Sequence, residues 1–241
     1  MMRLSYQEIS KMIDHSLLKP SLTAGDLESG CRLAMQYQVA SVCIVPWYLK
    51  KCVQRLGESD VKASTTVGFP HGGHTTLVKL AEAEQALAEG ADELDAVVNI
   101  SQVRSGNWSY VESELGELIN LVHDHNGLIK VIFENAYLEN SQKIRLCEIC
   151  GQLRADWVKT STGYGPSGAT IPDLKLMREH SPEWVQVKAA GGIATLDQLL
   201  EVRDLGVTRV GASRTQQILD TLKARLHEET LQSEPPVDLD A

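Results

Sequence analysis

The chain has 241 residues, 43% of them hydrophobic, which is enough to bury a substantial core in one large α/β barrel or in two smaller domains. Its formal net charge of -9 argues against a general surface for nucleic acid or for anionic membranes. We therefore expect no nucleic-acid partner and no membrane partner, and an anionic ligand has to meet a local cluster of donors in a pocket.

The N-terminal segment and the cysteines indicate a soluble, cytoplasmic protein. Residues 1–8 lack the apolar segment of a secretion signal, and no apolar run approaches the roughly 20 residues of a membrane span. Five cysteines, an odd number, favour reduced thiols over a disulfide framework. Cys147 and Cys150 form a single CxxC pair inside a helix-like segment, without a second pair or a flanking histidine, so we expect them to pack in a helix core.

Eight short apolar or β-branched segments alternate with segments of helical periodicity. The predicted strands are 13–18, 41–45, 62–68, 93–100, 128–134, the run within 156–163 that Lys159 closes, 184–189 and 208–212. The predicted helices are 23–40, 47–56, 77–89, 110–125, 141–151, 171–179, 195–205 and 215–229. The acidic tail 230–241, which contains proline, is predicted to be disordered.

This alternation predicts the fold class: an α/β protein with a single (β/α)8 TIM barrel over residues 1–229. Eight parallel strands joined by regular helical crossovers close into such a barrel. A doubly wound open sheet is the competing architecture, but no G-x-G-x-x-G follows the first strand. No shift of composition marks a second domain before the tail.

Charged residues stand at or near the carboxyl ends of several predicted strands, where the catalytic loops of a barrel gather. They are Asp14, Asp95, Lys130, Glu134, Lys159 and Lys188. A single lysine at such a place can extend its ammonium group to water while its stem packs. Lys159 and Lys188, however, both end apolar runs on adjacent strands and both lead into glycine-rich loops, which favours a functional pair. We interpret Lys130 and Glu134, on one strand, as an ion pair inside the barrel.

Lys159 is the predicted reactive group. Two ammonium groups about 5 Å apart at an effective dielectric constant of about 20 repel by ~3 kcal/mol, which lowers one pKa by about two units, and partial burial acts in the same direction. A lysine with such a pKa is partly a free amine at neutral pH and can form a Schiff base with a carbonyl. Lys188 then stays charged and lowers the pKa of Lys159. Asp95 is either a carrier of protons through a water molecule or a structural partner of one lysine.

Two glycine-containing loops predict a binding site for phosphate. Gly191 and Gly192 follow the seventh strand, and Gly211, Ser213 and Arg214 follow or end the eighth, each loop lying before the start of a helix. Backbone N–H groups at such places bind anions, and barrels commonly bind phosphate after strands seven and eight. Either loop alone is equally typical of a tight turn, but together they indicate a phosphorylated small-molecule substrate.

The histidines permit a metal-dependent alternative. His71 with His74, and His123 with His125, are possible ligand pairs of a metal-dependent aldolase. The i,i+2 spacing of the second pair places its rings on different faces of a helix, which argues against it. We therefore do not expect metal catalysis.

Seven segments, in order along the chain, closely resemble the deoxyribose-phosphate aldolase family. They are 13–20 (IDHSLLKP), 67–72 (VGFPHG), 91–95 (ADELD), 130–134 (KVIFE), 158–163 (VKTSTG), 187–192 (VKAAGG) and 210–213 (VGAS). The resemblance implies a class I aldolase on a TIM barrel that reversibly cleaves 2-deoxy-D-ribose 5-phosphate to D-glyceraldehyde 3-phosphate and acetaldehyde. It further implies no metal, no organic cofactor and, as is frequent in the family, a homodimer.

The resemblance also implies roles for individual residues. Lys159 would form the Schiff base, and Lys188 would perturb its pKa. Asp95 would assist proton transfer, while Asp14 would lie near the substrate hydroxyls and the proton relay. The residues expected to hold the substrate and its phosphate are Thr160, Gly163, Gly191, Gly192, Gly211, Ser213 and Arg214.

Three features depart from the family pattern. Ala194 stands where the family's Gly-Gly-Val-Arg-Thr has its arginine, and Tyr164 stands where some members carry a lysine. Some members also use a C-terminal tyrosine, but no tyrosine follows Tyr164. We predict that Arg214 replaces part of the missing charge. Two alternatives are a related Schiff-base aldolase with another aldehyde pair and a non-catalytic barrel that binds phosphosugars.

Overall fold

Eight parallel strands hydrogen-bond to one another in chain order, and the first also pairs with the last, so that the sheet closes into a barrel. The computed structural model of the chain describes residues 5–233, and the side chains of residues 5–228. The strands are β1 (Ile13–Leu17), β2 (Ser41–Ile44), β3 (Lys62–Val67), β4 (Glu93–Val97), β5 (Leu128–Ile132), β6 (Trp157–Lys159), β7 (Gln186–Ala190) and β8 (Val207–Ala212). The predicted (β/α)8 architecture is confirmed.

Helices connect successive strands on the outside of the barrel. They are α1 (Tyr6–Ser10), α2 (Ala24–Tyr37), α3 (Leu49–Leu56), α4 (Thr76–Ala88), α5 (Ile100–Arg104), α6 (Trp108–Asp124), α7 (Asn140–Gln152), α8 (Ile171–His180), α9 (Leu196–Asp204) and α10 (Thr215–Ser233). Short 3-10 turns precede α3 and α7. Helix α10 extends four residues beyond its predicted end, and the rest of the predicted tail, 234–241, lies outside the described residues. Within the described part of the chain, no helix is long and apolar enough to cross a bilayer.

Side-chain caps fix the starts of several helices. Thr195 and Gln198 form the predicted reciprocal capping box at the start of α9. A second capping box, between Thr23 and Asp26, starts α2. Because these caps satisfy backbone N–H groups that the helix itself leaves free, they set the point at which each loop at the mouth of the barrel ends.

Two short helices replace predicted strand or irregular structure. Strand β4 ends at Val97, three residues before its predicted end, because the side chain of Asn99 accepts a hydrogen bond from the backbone of Gln102 at 3.3 Å and starts α5. At the N-terminus, Ser5 caps α1 through the backbone of Glu8 at 3.5 Å. An apolar run predicts burial, but it does not separate the end of a strand from the residues that precede a cap.

The strands divide their side chains between two environments. Apolar residues such as Leu94, Val131 and Val158 face the helices and are fully buried between the two layers. Cys147 and Cys150 lie in this same layer on α7, which confirms that they pack in a helix core. The residues that alternate with the apolar ones point into the barrel, and several of them are charged.

His15 gives the fold a pH dependence of its own. It is nearly buried on β1, where its Nδ1 lies 2.9 Å from the Thr215 hydroxyl, and burial lowers the pKa of His15 to about 4. Because its pKa is lower in the folded state than in the unfolded state, folding is stabilised above about pH 6.5, and that contribution is lost as the pH falls towards about 4.

We expect the free energy of unfolding to fall by up to about 3 kcal/mol across this pH window. Denaturant titrations at several pH values measure it, with His15→Asn as the matched variant whose stability should change less over the same range. An equal slope in both proteins would contradict the assignment to His15.

Candidate active site

Lys159 ends β6 and points into the barrel, because Val158 before it faces the helices. Only 3% of Lys159 is exposed, and its Nζ donates a hydrogen bond to Asp95 Oδ2 at 2.6 Å. Its strand neighbours at the same level are Ile132 on β5 and Lys188 on β7. The two lysines that the sequence pairs therefore lie side by side.

Asp95 is the carboxylate on which three lysines converge. Its Oδ2 accepts from Lys159 at 2.6 Å and from Lys188 at 2.8 Å, while its Oδ1 accepts from Lys130 at 2.9 Å. Burial alone would raise the pKa of Asp95, but the three ammonium groups outweigh it and hold this pKa well below its ordinary value. The ionised form of Asp95 is therefore strongly favoured.

Asp14 is a second ionised carboxylate in the barrel interior. Its Oδ2 accepts from Lys188 at 2.5 Å, and its Oδ1 accepts from Arg209 at 2.6 Å and from the Ser41 hydroxyl at 2.7 Å. Burial opposes ionisation, but Lys188, Lys130 and Arg209 more than compensate and lower the pKa of Asp14.

The two paired lysines differ in basicity. Burial lowers the pKa of Lys159, and repulsion from Lys188 acts in the same direction against the attraction of Asp95. Burial also acts to lower the pKa of Lys188, but its contacts with Asp14 and Asp95 outweigh it and raise this pKa. Lys159 is therefore the less basic of the two lysines, and Lys188 is the more basic. Burial is thus the larger cause of the lowered pKa of Lys159, and the repulsion from Lys188, on which the prediction from sequence mainly rests, is a smaller one.

Sequence reasoning missed two charged residues of this cluster, Glu93 and Arg209. Glu93 lies between Lys130 and Arg209. Its Oε2 accepts hydrogen bonds from Lys130 Nζ at 2.5 Å and from Arg209 Nη1 at 3.1 Å. The ring of Trp157 lies beside both cations, 5.7 Å from Lys130 Nζ and 4.9 Å from the Arg209 guanidinium carbon. The available signal for Glu93 is strand alternation, since it precedes Asp95 by two residues and so shares its face.

The predicted ion pair between Lys130 and Glu134 is wrong. Strand β5 ends at Ile132, and Glu134 has a left-handed backbone (φ 55°), which interrupts the alternation that would have kept it on the face of Lys130. Lys130 instead binds Glu93 and Asp95. The carboxylate of Glu134 accepts hydrogen bonds from the backbone and hydroxyl of Thr162, so that it holds the loop that follows Lys159.

The loops after β6 and β7 pack closely against each other. Gly163, Gly191 and Gly192 all have left-handed backbones, with φ of 88°, 81° and 93°. A Cβ atom on Gly168 would lie 2.2 Å from the Gly191 carbonyl oxygen, so only glycine permits this contact. The Thr160 hydroxyl is engaged with the backbone of Ala190, donating to its oxygen at 3.3 Å and accepting from its nitrogen at 3.1 Å. Thr160 therefore ties the two strands together.

The remaining predicted phosphate residues lie at the same end of the barrel, after β8. A Cβ atom on Gly211 would lie 3.3 Å from the Ala190 side chain, a close contact that glycine avoids, and at an ordinary contact distance of 3.7 Å from Lys188 Cε. Ser213 and Arg214 are exposed, and the Arg214 carbonyl accepts the first hydrogen bond of α10, from Ile218 at 3.1 Å. The structure thus brings all seven predicted phosphate residues to three adjacent loops or strand ends.

Tyr164 spans part of the mouth of the barrel. Its hydroxyl donates to the carbonyl oxygen of Leu18, in the loop after β1, at 2.6 Å, and its ring meets Phe69 edge-on at 5.6 Å. Together with Val45 and Thr66, these residues line a cavity of about 240 Å³. Thr66 is the strand neighbour of Asp95, so this cavity approaches the lysine cluster from the side.

The two histidine pairs are engaged elsewhere. His74 lies 3.7 Å from Glu82, and His123 Nε2 lies 3.0 Å from Asp156 Oδ2. Among the described residues, no three His, Cys, Asp or Glu side chains are grouped so that they could hold a metal ion.

A buried lysine with a lowered pKa, held by a carboxylate at the mouth of a (β/α)8 barrel, defines the class of this protein: it has the equipment of an aldolase that acts through a lysine amine. Residues 9–213 match the model of the DeoC/LacD family of aldolases. The chain belongs to this family.

Curated relatives and solved structures agree with this assignment. A deoxyribose-phosphate aldolase of Rhodopirellula baltica is 62% identical over 92% of this chain and 92% of its own length. Its counterpart in Caldanaerobacter subterraneus subsp. tengcongensis is 44% identical over 91% and 95%. Among solved structures, the aldolase QR15 superposes with a TM-score of 0.86 at 32% identity, covering 94% of this chain and 99% of its own. The tetrameric deoxyribose phosphate aldolase of Aeropyrum pernix gives 0.83 at 28% identity, covering 92% and 93%.

Proposed function

We propose that this aldolase reversibly cleaves 2-deoxy-D-ribose 5-phosphate to D-glyceraldehyde 3-phosphate and acetaldehyde through a Schiff base on Lys159. The observation that carries the proposal is the arrangement of the two lysines on Asp95 Oδ2, in which the pKa of Lys159 is lowered and the pKa of Lys188 is raised. The names of the relatives at 62% and 44% identity support the choice of substrate.

The chemistry follows from a free amine at Lys159. Its Nζ attacks C1 of the open-chain sugar, and loss of water from the carbinolamine leaves an iminium ion. As the C3 hydroxyl gives up its proton, the C2–C3 bond breaks and its electron pair moves towards the iminium nitrogen. Glyceraldehyde 3-phosphate leaves, the enamine takes a proton at C2, and water releases acetaldehyde and restores the amine.

Asp95, Lys188 and Asp14 are proposed to serve the proton transfers of this sequence. Asp95 accepts hydrogen bonds from both Lys159 and Lys188, so that it adjoins the nitrogen at which carbinolamine forms and collapses. Lys188 holds a proton beside that carboxylate, and Asp14 holds Lys188 from the other side at 2.5 Å. A water between these groups and the substrate completes a path for protons.

Phosphate is proposed to bind where the loops after β6, β7 and β8 meet. Gly163, Gly191 and Gly192 offer backbone N–H groups in left-handed turns, and no neighbouring atom would lie within 4 Å of a Cβ on Gly163 or Gly192. Gly211 and Ser213 complete the lining beside the start of α10. Thr160 supports these loops from below through its hydrogen bonds to Ala190.

Arg214 is expected to supply the charge that Ala194 lacks. We expect Arg214→Ala to raise KM for 2-deoxyribose 5-phosphate by about 10-fold, because a charged hydrogen bond to phosphate contributes about 1.5 kcal/mol or more. KM for unphosphorylated 2-deoxyribose should stay unchanged. Steady-state kinetics on both sugars measure this, with Arg55→Ala on the distant helix α3 as the control. An unchanged KM for the phosphorylated sugar would show that Arg214 does not compensate.

Borohydride reduction tests the proposed function directly. Incubation with acetaldehyde or 2-deoxyribose 5-phosphate followed by reduction should leave a stable adduct on the peptide that contains Lys159. An adduct on another lysine, or none, would refute the Schiff-base assignment. Tyr164 across the mouth favours one alternative, an aldolase with a different aldehyde pair. Such an enzyme would form the adduct but would turn over 2-deoxyribose 5-phosphate poorly relative to the free sugar.

We also propose that the protein is a homodimer and that it is located in the cytoplasm. The cytoplasmic location is supported by the five cysteines, all of which are free and buried. The relative from Aeropyrum pernix is tetrameric, so a tetramer is the other outcome to distinguish. Light scattering after size-exclusion chromatography measures the mass and decides between them.

A further inference from the structure

The described part of the barrel interior contains a closed ring of six charged side chains. Three carboxylates alternate with three cations, and each contacts both of its neighbours. In order around the ring, the contacts are Asp14–Lys188 at 2.5 Å, Lys188–Asp95 at 2.8 Å, Asp95–Lys130 at 2.9 Å, Lys130–Glu93 at 2.5 Å, Glu93–Arg209 at 3.1 Å and Arg209–Asp14 at 2.6 Å. All six are buried, with Arg209 the most exposed at 9%.

Lys159 stands outside this ring. Each ring cation contacts at least two carboxylates, and Lys130 also lies 3.8 Å from Asp14, whereas Lys159 pairs with one carboxylate, Asp95, among the described residues. Three positive and three negative charges already cancel, so a protonated Lys159 would place a seventh, uncompensated charge in the buried interior of the barrel. Such a charge is costly, and the group that carries it gives up its proton instead.

We propose that Glu93 and Arg209 are positioning residues that keep this ring neutral and thereby leave Lys159 as the one amine without its proton. The proposal rests on the proposed role of Lys159 as the Schiff-base nucleophile. Neither residue touches Lys159. Glu93 acts through Lys130, and Arg209 acts through Asp14 and Lys188.

Other titratable groups around Lys159 do not alter the balance of three positive and three negative charges. The sides of the barrel contribute Asp14 from β1, Glu93 and Asp95 from β4, Lys130 from β5, Lys188 from β7, Arg209 from β8 and the thiol of Cys43 from β2. Burial raises the pKa of Cys43 to about 11, so this thiol is uncharged near neutral pH. Glu134 lies beyond the end of β5, where its carboxylate is bound by Thr162 in the loop after Lys159.

The position of Glu93 and Arg209 separates their effect from substrate binding. Both line a cavity of about 550 Å³ at the amino-terminal end of the barrel, together with Lys11, Lys62 and Asp92. The substrate loops lie at the opposite end, after the strands. A substitution here therefore acts on the reactive amine through charge, without removing a contact to the sugar.

Removal of a positive charge and removal of a negative charge from the ring should shift the pKa of Lys159 in opposite directions. At an effective dielectric constant of about 20, one unit charge about 10 Å away changes a pKa by about one unit. Arg209→Met removes a positive charge, which favours protonated Lys159 and moves its titration about one unit to higher pH. Glu93→Gln removes a negative charge and moves it about one unit lower. The double variant removes both charges and should return to the pH of the unaltered enzyme.

The measurement is the pH dependence of the rate at which acetaldehyde forms the borohydride-reducible adduct on Lys159. Arg209→Lys, which keeps the charge, should leave the midpoint in place. Shifts of the same sign in both single variants, or no shift in either, would overturn the proposal. If Arg209→Met does not fold, Glu93→Gln, whose amide preserves size, decides the question alone: a lower midpoint supports the proposal and a higher or unchanged one refutes it.

Failure of this inference differs from failure of the proposed function. No adduct on Lys159 in the unaltered enzyme would refute the Schiff-base role itself. An adduct on Lys159 whose midpoint ignores the charges of Glu93 and Arg209 would refute only their positioning role.

Discussion

Lys159→Met is expected to lower the rate of aldol cleavage by about 10⁴-fold or more and to abolish the reduced adduct with acetaldehyde. Methionine fills a similar volume without an amine, so the covalent path is lost while the barrel keeps its packing. The readouts are coupled detection of glyceraldehyde 3-phosphate and mass spectrometry of the reduced protein. Circular dichroism should show a folded barrel.

The chain contains an internal control for this assignment. Lys79 on α4 is also fully buried, and burial lowers its pKa, but its Nζ donates to Glu114 at 2.7 Å and to the Val97 carbonyl at 2.8 Å, between the helices and the barrel wall. It should form no adduct in either protein. Lys50→Met, on the outer helix α3, should retain the full rate. Adduct on the Lys79 peptide would mean that low basicity alone, and not the site, selects the reactive lysine.

Lys188→Met is expected to move the acidic limb of the rate profile about two units to higher pH. Lys188 shares Asp95 Oδ2 with Lys159, so its removal ends the repulsion between them. Three carboxylates would then face Lys130 and Arg209 alone, and Lys159 would keep its proton as the third cation. The rate at neutral pH should fall about 100-fold and recover in part at high pH.

The sign of that shift follows from which form of Lys159 reacts. Only the free amine attacks the carbonyl, so a higher pKa delays activity to higher pH. The profile of kcat/KM against pH reports the free enzyme and is the quantity to measure. A rate that is lower at every pH, with the limb unmoved, would show that Lys188 transfers protons without tuning Lys159.

Much of the fold and the centre of the site could be predicted from sequence because they rest on local patterns. Eight apolar runs separated by helical periodicity predict a barrel. Parallel pairing of two adjacent strands then places Lys159, at the end of one, level with Lys188 on the other. Threonine caps such as Thr195 with Gln198 mark a helix start in the same local way. These features need no knowledge of distant residues.

The ion ring could not be predicted, because it depends on register between strands. Between β7 and β8 the pairing shifts by one residue, from Val187 opposite Val207 to Lys188 opposite Arg209. That irregularity places Arg209 opposite Lys188, where regular pairing would have placed Thr208. The predicted ion pair between Lys130 and Glu134 was wrong for a related reason. Glu134 lies beyond the end of β5 with a left-handed backbone, so its side chain no longer follows the alternation of the strand.

Closure of the barrel between β1 and β8 also has a consequence for biosynthesis. Asp14 emerges early from the ribosome, and its partner Arg209 lies 195 positions further along the chain. A nascent chain that has reached β7 already contains Lys159, Lys188 and Asp95, but without β8 the two edges of the sheet have nothing to join them. The ring of six charged side chains, which includes Arg209, can therefore form only once β8 has been made.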